Sequence, residues 1–535
     1  MAEFLPLPMH KATAAVLGVL NGSSPLEVVK PHFSRKLASQ ETPLAGFNNT
    51  LSFSLQSTVN LAAGSVISIS GILGAASDRS PWLTLRKDDA SNDEVVLCAG
   101  PGPAGSGNAG TWRDAEGARV LAMTVCDGAT WEARAEYEVG WRITNPGMAQ
   151  ASPAMSIAAS GTPAFEVAEM DKPMTDTLGV TAGHDALRVV VPWFESKAIG
   201  QSTFLAGAVN TISATLMTNI GIEAQAEISM CCFEKAVVAG DRVAVSVTGG
   251  VGTVLPRFCA DDQEGYAAWF PDSATVQLRL CAGSGNSMRS LVEVVVRFNV
   301  ANPHDGQASP AVLILAVGRF TIASAAMLAP DGIVYQGVTD GAKPMKVVVP
   351  EFVTHAIYQS SPFAGLMNHI SVTLQTSVPL AGAQGAEITL TGLNAGDQGS
   401  SNVTLEGLVA CRFCFGLSNA IGKASYTSSS GTMLLRVCPN ATLPAETLYH
   451  FSFQFRNPLF DQPASVIQIR AQSLLSAAGG AFAIPATELD HQGLTVYGVV
   501  NATDPLRTIV PTFAHAFMSQ TNFYGGEVKP LNPNF

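Results

Sequence analysis

The chain has 535 residues, enough for about three or four domains, and only 13% of them are charged while 47% are hydrophobic. It is rich in Val, Ala, Leu, Ser, Thr and Gly, which is not the make-up of a disordered chain, and its net charge of −12 comes without any Lys/Arg cluster, which argues against a nucleic-acid partner. The longest apolar runs, such as Ala14–Leu20, fall far short of the roughly 18 residues a membrane-spanning helix needs, so no membrane span is expected.

The elements recur with a fixed period. A Pro-x-Phe tripeptide stands at Pro31-His32-Phe33, Pro192-Trp193-Phe194, Pro350-Glu351-Phe352 and Pro511-Thr512-Phe513, in steps of 161, 158 and 161 residues. Gln40, Gln201, Gln359 and Gln520 follow at one offset. A bulky residue then leads into Gly46, Gly207, Gly365 and Gly525, and Asn49, Asn210 and Asn368 follow in the three full copies. Late in each copy comes Asn-Pro-x-x-x-Gln, at Asn145, Asn302 and Asn457. Several landmarks in one order at one period mark tandem modules. The repeated Gln and Asn read as turn and strand-end hydrogen-bonders, because residues present in every copy serve the fold.

In chain order the modules fall at 32–192, 193–350 and 351–511. Residues 1–31 carry no basic start and no clear cleavage site, so they are not read as a signal peptide. Val16–Leu26 aligns without gaps to Val496–Leu506, which makes 1–31 the terminal strands of an incomplete module. Within a copy the periodicity is two: Leu51, Phe53 and Leu55 alternate with Ser52 and Ser54, and Ile370, Val372 and Leu374 with Ser371 and Thr373. The expected fold is all-β, with three tandem immunoglobulin-like or jelly-roll-like β-sandwich modules of about 160 residues and few, short helices. Residues 512–535 hold the first strand of a further module and then stop, which makes them a candidate donor strand. The assembly strands are expected around Val28, Val29 and Phe33 at one end and Phe513, Phe517 and Phe523 at the other, since unpaired edges invite pairing with another chain.

Cysteines repeat as well. Cys98 pairs by position with Cys126, and Cys259 with Cys281; Cys438 pairs with Cys411 or Cys414. One disulfide per module implies an oxidising compartment. Cys231, Cys232 and the remaining thiol are enough for one further bridge. Cys411-x-x-Cys414 has no second half, so a zinc site is not expected. Asn-x-Ser/Thr sequons at Asn21, Asn48, Asn402, Asn440 and Asn501 are candidate N-glycosylation sites, Asn21 and Asn501 at the same module position.

No catalytic pattern emerges. The nine His have no metal-ligand spacing, and neither a nucleophile elbow nor a phosphate loop is present. Gly105–Gly110 spells Gly-x-Gly-x-x-Gly but follows Gly-Pro-Ala and opens no helical pattern, so it reads as a loop. Two acidic loops, Asp88-Asp89 with Asn92, Asp93 and Glu94, and Asp261-Asp262 with Glu264, offer hard oxygens for Ca²⁺, yet neither follows an EF-hand pattern and solvated loops are the preferred reading. No cofactor, no metal and no enzymatic activity are expected.

The segment Gln40–Gly71, with Pro-Leu-Ala-Gly-Phe-Asn-Asn-Thr-Leu-Ser-Phe-Ser-Leu and Val-Asn-Leu-Ala-Ala-Gly-Ser-Val-Ile-Ser-Ile-Ser-Gly, resembles tandem repeats in large surface proteins of algae and other protists. That resemblance implies an extracellular, fibrous role and carries over no functional residues. Together these features predict an extracellular subunit that partners with itself as a homopolymer, assembled head-to-tail by β-strand complementation. The alternative is a cell-surface adhesin or carbohydrate-binding repeat protein with cell-surface glycans as partners.

Overall fold

The computed structural model describes every residue except 1–6, 88–94, 116–117, 284, 395–398, 417–419, 474–480 and 520–535. Its regular structure is β-strand, apart from three one-turn 3-10 helices at Gly382–Gln384, Ala410–Arg412 and Ser428–Ser430. The chain is a tandem of β-sandwich modules, as the period-two patterning predicts.

The second strand of each module shows why. Asn48–Ser57, Val209–Thr218 and Met367–Thr376 bury alternate residues along almost their whole length. Leu51, Phe53 and Leu55 are fully buried, and so are Ile212, Ala214 and Leu216 and then Ile370, Val372 and Leu374. The Ser, Thr and Gln between them face outward, so one side of the strand can only rest on a core.

In the second module nine strands form one continuous hydrogen-bonded ribbon. Its order is Phe194–Gln201, Val209–Thr218, Val294–Ala301, Arg242–Gly249, Tyr266–Phe270, Thr275–Arg279, Glu227–Cys231, Leu313–Val317 and Thr321–Ala326. Arg242–Gly249 turns the corner: its first residues pair with Tyr266–Phe270 and its last with Val294–Ala301. The ribbon therefore folds into two facing layers. The third module repeats the order with Ser401–Glu406 at the corner. In the first module the two layers are separate sheets, one holding Phe33–Gln40 and Asn48–Ser57 and the other Val66–Ser70 and Ala118–Val125.

Three hydrophobic cores result. Each recruits residues from outside its own strands. Val19 belongs to the first core, Leu44 and Val180 to the second, and Leu205 and Val338 to the third.

The ends differ from the expectation. Residues 7–31 form turns with one isolated bridge, Val16 to Val19, and not the terminal strands of a module. The matching stretches 177–188 and 496–507 are turns with isolated bridges as well, so this segment repeats the modules' connector and not their strands. Val28 is exposed and Val29 packs against the first core, neither within a strand. Phe33 opens the first strand and is a core residue, so it is not a free edge. Phe513 and Phe517 are exposed on an unpaired segment, and Phe523 lies outside the described residues.

Candidate functional site: the inter-module junction

The repeated amides converge on one place. Gln40 Nε2 donates to the carbonyls of Gly183 (2.8 Å) and Arg188 (2.7 Å), and its Oε1 accepts from Leu187 N–H at 2.9 Å. Asn49 Nδ2 donates to Gln40 Oε1 at 3.0 Å and to Asn145 Oδ1 at 2.9 Å. Asn145 Nδ2 returns to the carbonyls of Thr42 and Leu44. Gln150, the last residue of the Asn-Pro-x-x-x-Gln motif, donates to the Leu187 carbonyl at 2.9 Å. Gln40 and Gln150 thus grip a connector, residues 171–190, that leaves the last strand and lies beside the first, while Asn49 and Asn145 tie Gln40 to the turn at 42–44.

The grip is repeated. Gln201 and Gln307 hold Met345, with Asn210 bonded to Gln201 and to Asn302; Gln359 and Gln462 hold the third connector, with Asn368 bonded to Gln359 and to Asn457. Leu187, Met345 and Leu506 sit at φ of 57°, 58° and 58°, a left-handed backbone that side chains rarely adopt. All three are buried among core residues. The buried apolar side chain, with amide bonds to all three carbonyls and to the N–H of Leu187 and Met345, offsets the strain. Leu26 occupies the same position with φ 66° and is 97% exposed.

The connector also carries a knob. Leu17-Gly18, Leu178-Gly179, Gln336-Gly337 and Tyr497-Gly498 each have positive φ at both residues, the two-residue turn that right-twisted hairpins favour. The first three press into the module that follows. Leu17 carbonyl accepts from Asn60 N–H at 2.8 Å, and Leu178 carbonyl from Gly221 N–H at 2.7 Å. A Cβ on Gly18 would collide with Asn60 Oδ1 and one on Gly179 with Ser290 Oγ, and on Gly337 it would lie 3.0 Å from Pro379. Behind each knob Val19, Val180 and Val338 are buried. Around the third knob lies an apolar cavity of about 310 Å³ that Phe204, Pro379 and Phe482 help to line.

A side chain of the following module then fixes the linker. Thr58 Oγ1 donates to Lys30 carbonyl at 3.2 Å, Asn219 Nδ2 to Val191 carbonyl at 2.9 Å, and Ser377 Oγ to Val349 carbonyl at 2.7 Å. Among the described residues the fourth knob has no such neighbour: a Cβ on Gly498 would meet nothing within 4 Å, and Tyr497 is 76% exposed, its ring 5.7 Å from that of Phe363.

The cysteines pair as Cys98–Cys126, Cys259–Cys281 and Cys414–Cys438, so Cys414 and not Cys411 serves the third module. The further bridge that the remaining thiols allow does not form: Cys231, Cys232 and Cys411 are free. Cys232 is pushed up to about 11, first by its hydrogen bond with the Cys231 thiol and then by burial. All five sequon asparagines, Asn21, Asn48, Asn402, Asn440 and Asn501, are exposed. Asn21 and Asn501 stand just past the first and fourth knobs. Among the described residues no cluster of His, Cys, Asp or Glu could hold a metal ion, and no helix is long and apolar enough to cross a membrane. Asp261 and Asp262 lie on an exposed turn, and the other acidic loop, 88–94, lies outside the described residues. Residues 105–110 open no helix.

No family model and no curated protein matches the chain. Among solved structures, it is similar to the C-terminal domain of the Streptococcus agalactiae AgI/II polypeptide BspA, with 8% identity and a TM-score of 0.33 over 54% of this chain and 99% of that one. It is similar to the C-terminal domain of the Streptococcus pyogenes antigen I/II-family protein AspA at 6% identity and a TM-score of 0.32, over 56% and 99%. A third is three N-terminal domains of the bacteriophage RB49 Highly Immunogenic Outer Capsid protein, at 8% identity and a TM-score of 0.21, over 86% and 97%. Likenesses this loose carry no assignment of function.

Proposed function

We propose that this chain is an extracellular structural protein, a rod of locked β-sandwiches that joins head-to-tail with further copies into a filament. The observation that supports it is the junction. One device, knob plus amide grip, is used at each internal boundary, and its knob half at Tyr497-Gly498 stands bare. A contact between the front of one copy and the back of the next does not close on itself, so it propagates. Three disulfides and five exposed sequons suit an oxidising exterior, where glycans on a sparsely charged surface aid solubility. The chain carries out no catalysis on this reading. Negative-stain microscopy with sedimentation tests it: filaments that lengthen with concentration support it, and a strictly monomeric chain up to hundreds of micromolar defeats it.

An adhesin is the second reading, favoured by two indole rings that face solvent. Trp82 is 68% and Trp193 56% exposed, while Trp112, Trp131, Trp141 and Trp269 are core residues. An exposed indole is a stacking face for a sugar ring. A glycan array comparing the chain with Trp82→Ala and Trp193→Ala separates this reading from the first.

A further inference from the structure

The face left bare at the fourth knob has a counterpart elsewhere in the same chain. Residues 494–519 match 14–39 position for position at an offset of 480: Tyr497-Gly498-Val499 for Leu17-Gly18-Val19, Leu506 for Leu26, Phe513 for Phe33 and Met518 for Ala38. The earlier segment is seated on the first module. Gly18 lies against Asn60 and Ala133, Val19 and Phe33 are in the core, and 33–40 pairs with 48–57 as the module's first strand. The later segment is unseated: Phe513 is 92% exposed, Phe517 68% and Met518 76%.

The two segments do not fit the first module equally. At the position of Ala38 the second and third modules hold Ile199 and Ile357, both buried. The first module fills that core position with a methyl group. Met518 would fill it with a side chain close to isoleucine in volume, and flexible enough to fit an irregular gap. The hold of the resident segment on anything behind it is also poor. Leu26 and Val28 are 97% and 88% exposed, whereas Leu187 and Val189, at the same positions, are 0% and 1% exposed.

Resting on the filament reading, we infer that copies join by segment exchange. Residues 494–519 of one copy take the place of residues 14–39 on the first module of the next, with Tyr497-Gly498 in the Asn60–Ala133 socket, Phe513 in the Phe33 position and Met518 in the Ala38 position. Thr58 of the accepting copy then bonds the Val510 carbonyl as it bonds that of Lys30. The new boundary reproduces the two between modules of one chain, because Leu506 keeps its place in the third core as Leu187 and Met345 keep theirs in the first and second. The occupant is a second copy, since the register that seats it is one this chain already uses. The displaced segment is tethered to its own module and competes at high local concentration, so exchange is slow and concentration-dependent.

The test uses the full chain with Ser54→Cys and Phe517→Cys. Leu37 pairs with Ser54 in the first strand's ladder, and Phe517 would inherit that partner. Isotopically heavy and light chains are mixed, held at assembly concentration under mild oxidation and digested for cross-link mapping. Mapping also separates this bridge from those of Cys231, Cys232 and Cys411. Heavy–light bridges between 54 and 517 are expected. Filaments without that bridge overturn the exchange and leave the filament reading standing; bridges only within one chain overturn the exchange as well. Absence of any assembly takes down both. The Ala38→Met chain, otherwise unaltered, decides the matter should the double variant not fold. It fills the resident strand's gap and is expected to slow assembly by roughly tenfold, the scale on which core volume acts. An unchanged rate overturns the inference.

Discussion

Met345 shows how one residue is held in an unfavourable backbone. Its N–H is taken by Gln201 Oε1 at 2.8 Å and its carbonyl by Gln307 Nε2 at 2.9 Å, while the side chain is wholly buried. Gln201→Leu removes the acceptor of that N–H and of the Asn210 amide, and strands the carbonyls of Gly341 and Lys346. Buried groups without partners cost about 1–3 kcal/mol each before relaxation, so a loss of roughly 3 kcal/mol is expected. It should appear as a lower urea midpoint and as protease cleavage between 328 and 348. Gly179→Ala acts from the other side. At φ 70° a methyl group is strained and points at Ser290 Oγ, so cleavage near 178 should rise while the disulfides stay intact. Thiol labelling gives a third readout. A raised Cys232 pKa of about 11 means that the reactive thiolate is scarce at pH 9, on the order of one in a hundred. Exposed Cys411 should therefore react with iodoacetamide well before Cys232, and the gap should close as pH rises towards 11.

At the scale of elements, the disulfides close loops of 28, 22 and 24 residues. Loops of this length stabilise by about 3 kcal/mol each, chiefly by restricting the unfolded chain. Replacing both cysteines of one pair with serine should lower the melting transition of that module and leave the other two in place, seen as a split calorimetric trace. The strands themselves were legible, because alternation such as Leu51, Phe53, Leu55 reports a surface with one wet and one dry side. The choice of Cys414 over Cys411 was not. Phe413–Phe415 pairs beside Thr432–Val437 and so brings Cys414 to Cys438, a contact made by register, which spacing does not encode. The amides were visible as landmarks, and their hydrogen-bonding role followed from repetition. That the two glutamines meet on one connector, with the asparagines bracing one of them, was not visible, since Gln40 and Leu187 lie far apart in sequence. The ends depart from the expectation for a related reason: the match of Val16–Leu26 to Val496–Leu506 marks shared module sequence, and both stretches are turns, because strand pairing is settled by a neighbouring edge.

For the whole molecule, a net charge of −12 makes copies repel. Raising salt shortens the screening length, from about 30 Å at 0.01 M to about 8 Å at 0.15 M, so association measured by light scattering should quicken with ionic strength. The layout of each boundary has a mechanical corollary. In the second module the chain enters through Phe194–Gln201 and departs along a stretch that runs the same way beside it, with parallel bridges from Ala198 to Leu328 and from Leu205 to Val348. Tension on the two ends drags these neighbours past each other lengthwise. Every bond that Gln201 makes is then loaded at once, in shear, instead of peeling open in turn. Under stretch in a force trap, a molecule so laced should hold its length and then yield one module at a time in abrupt steps, as a tether meant to bear load would.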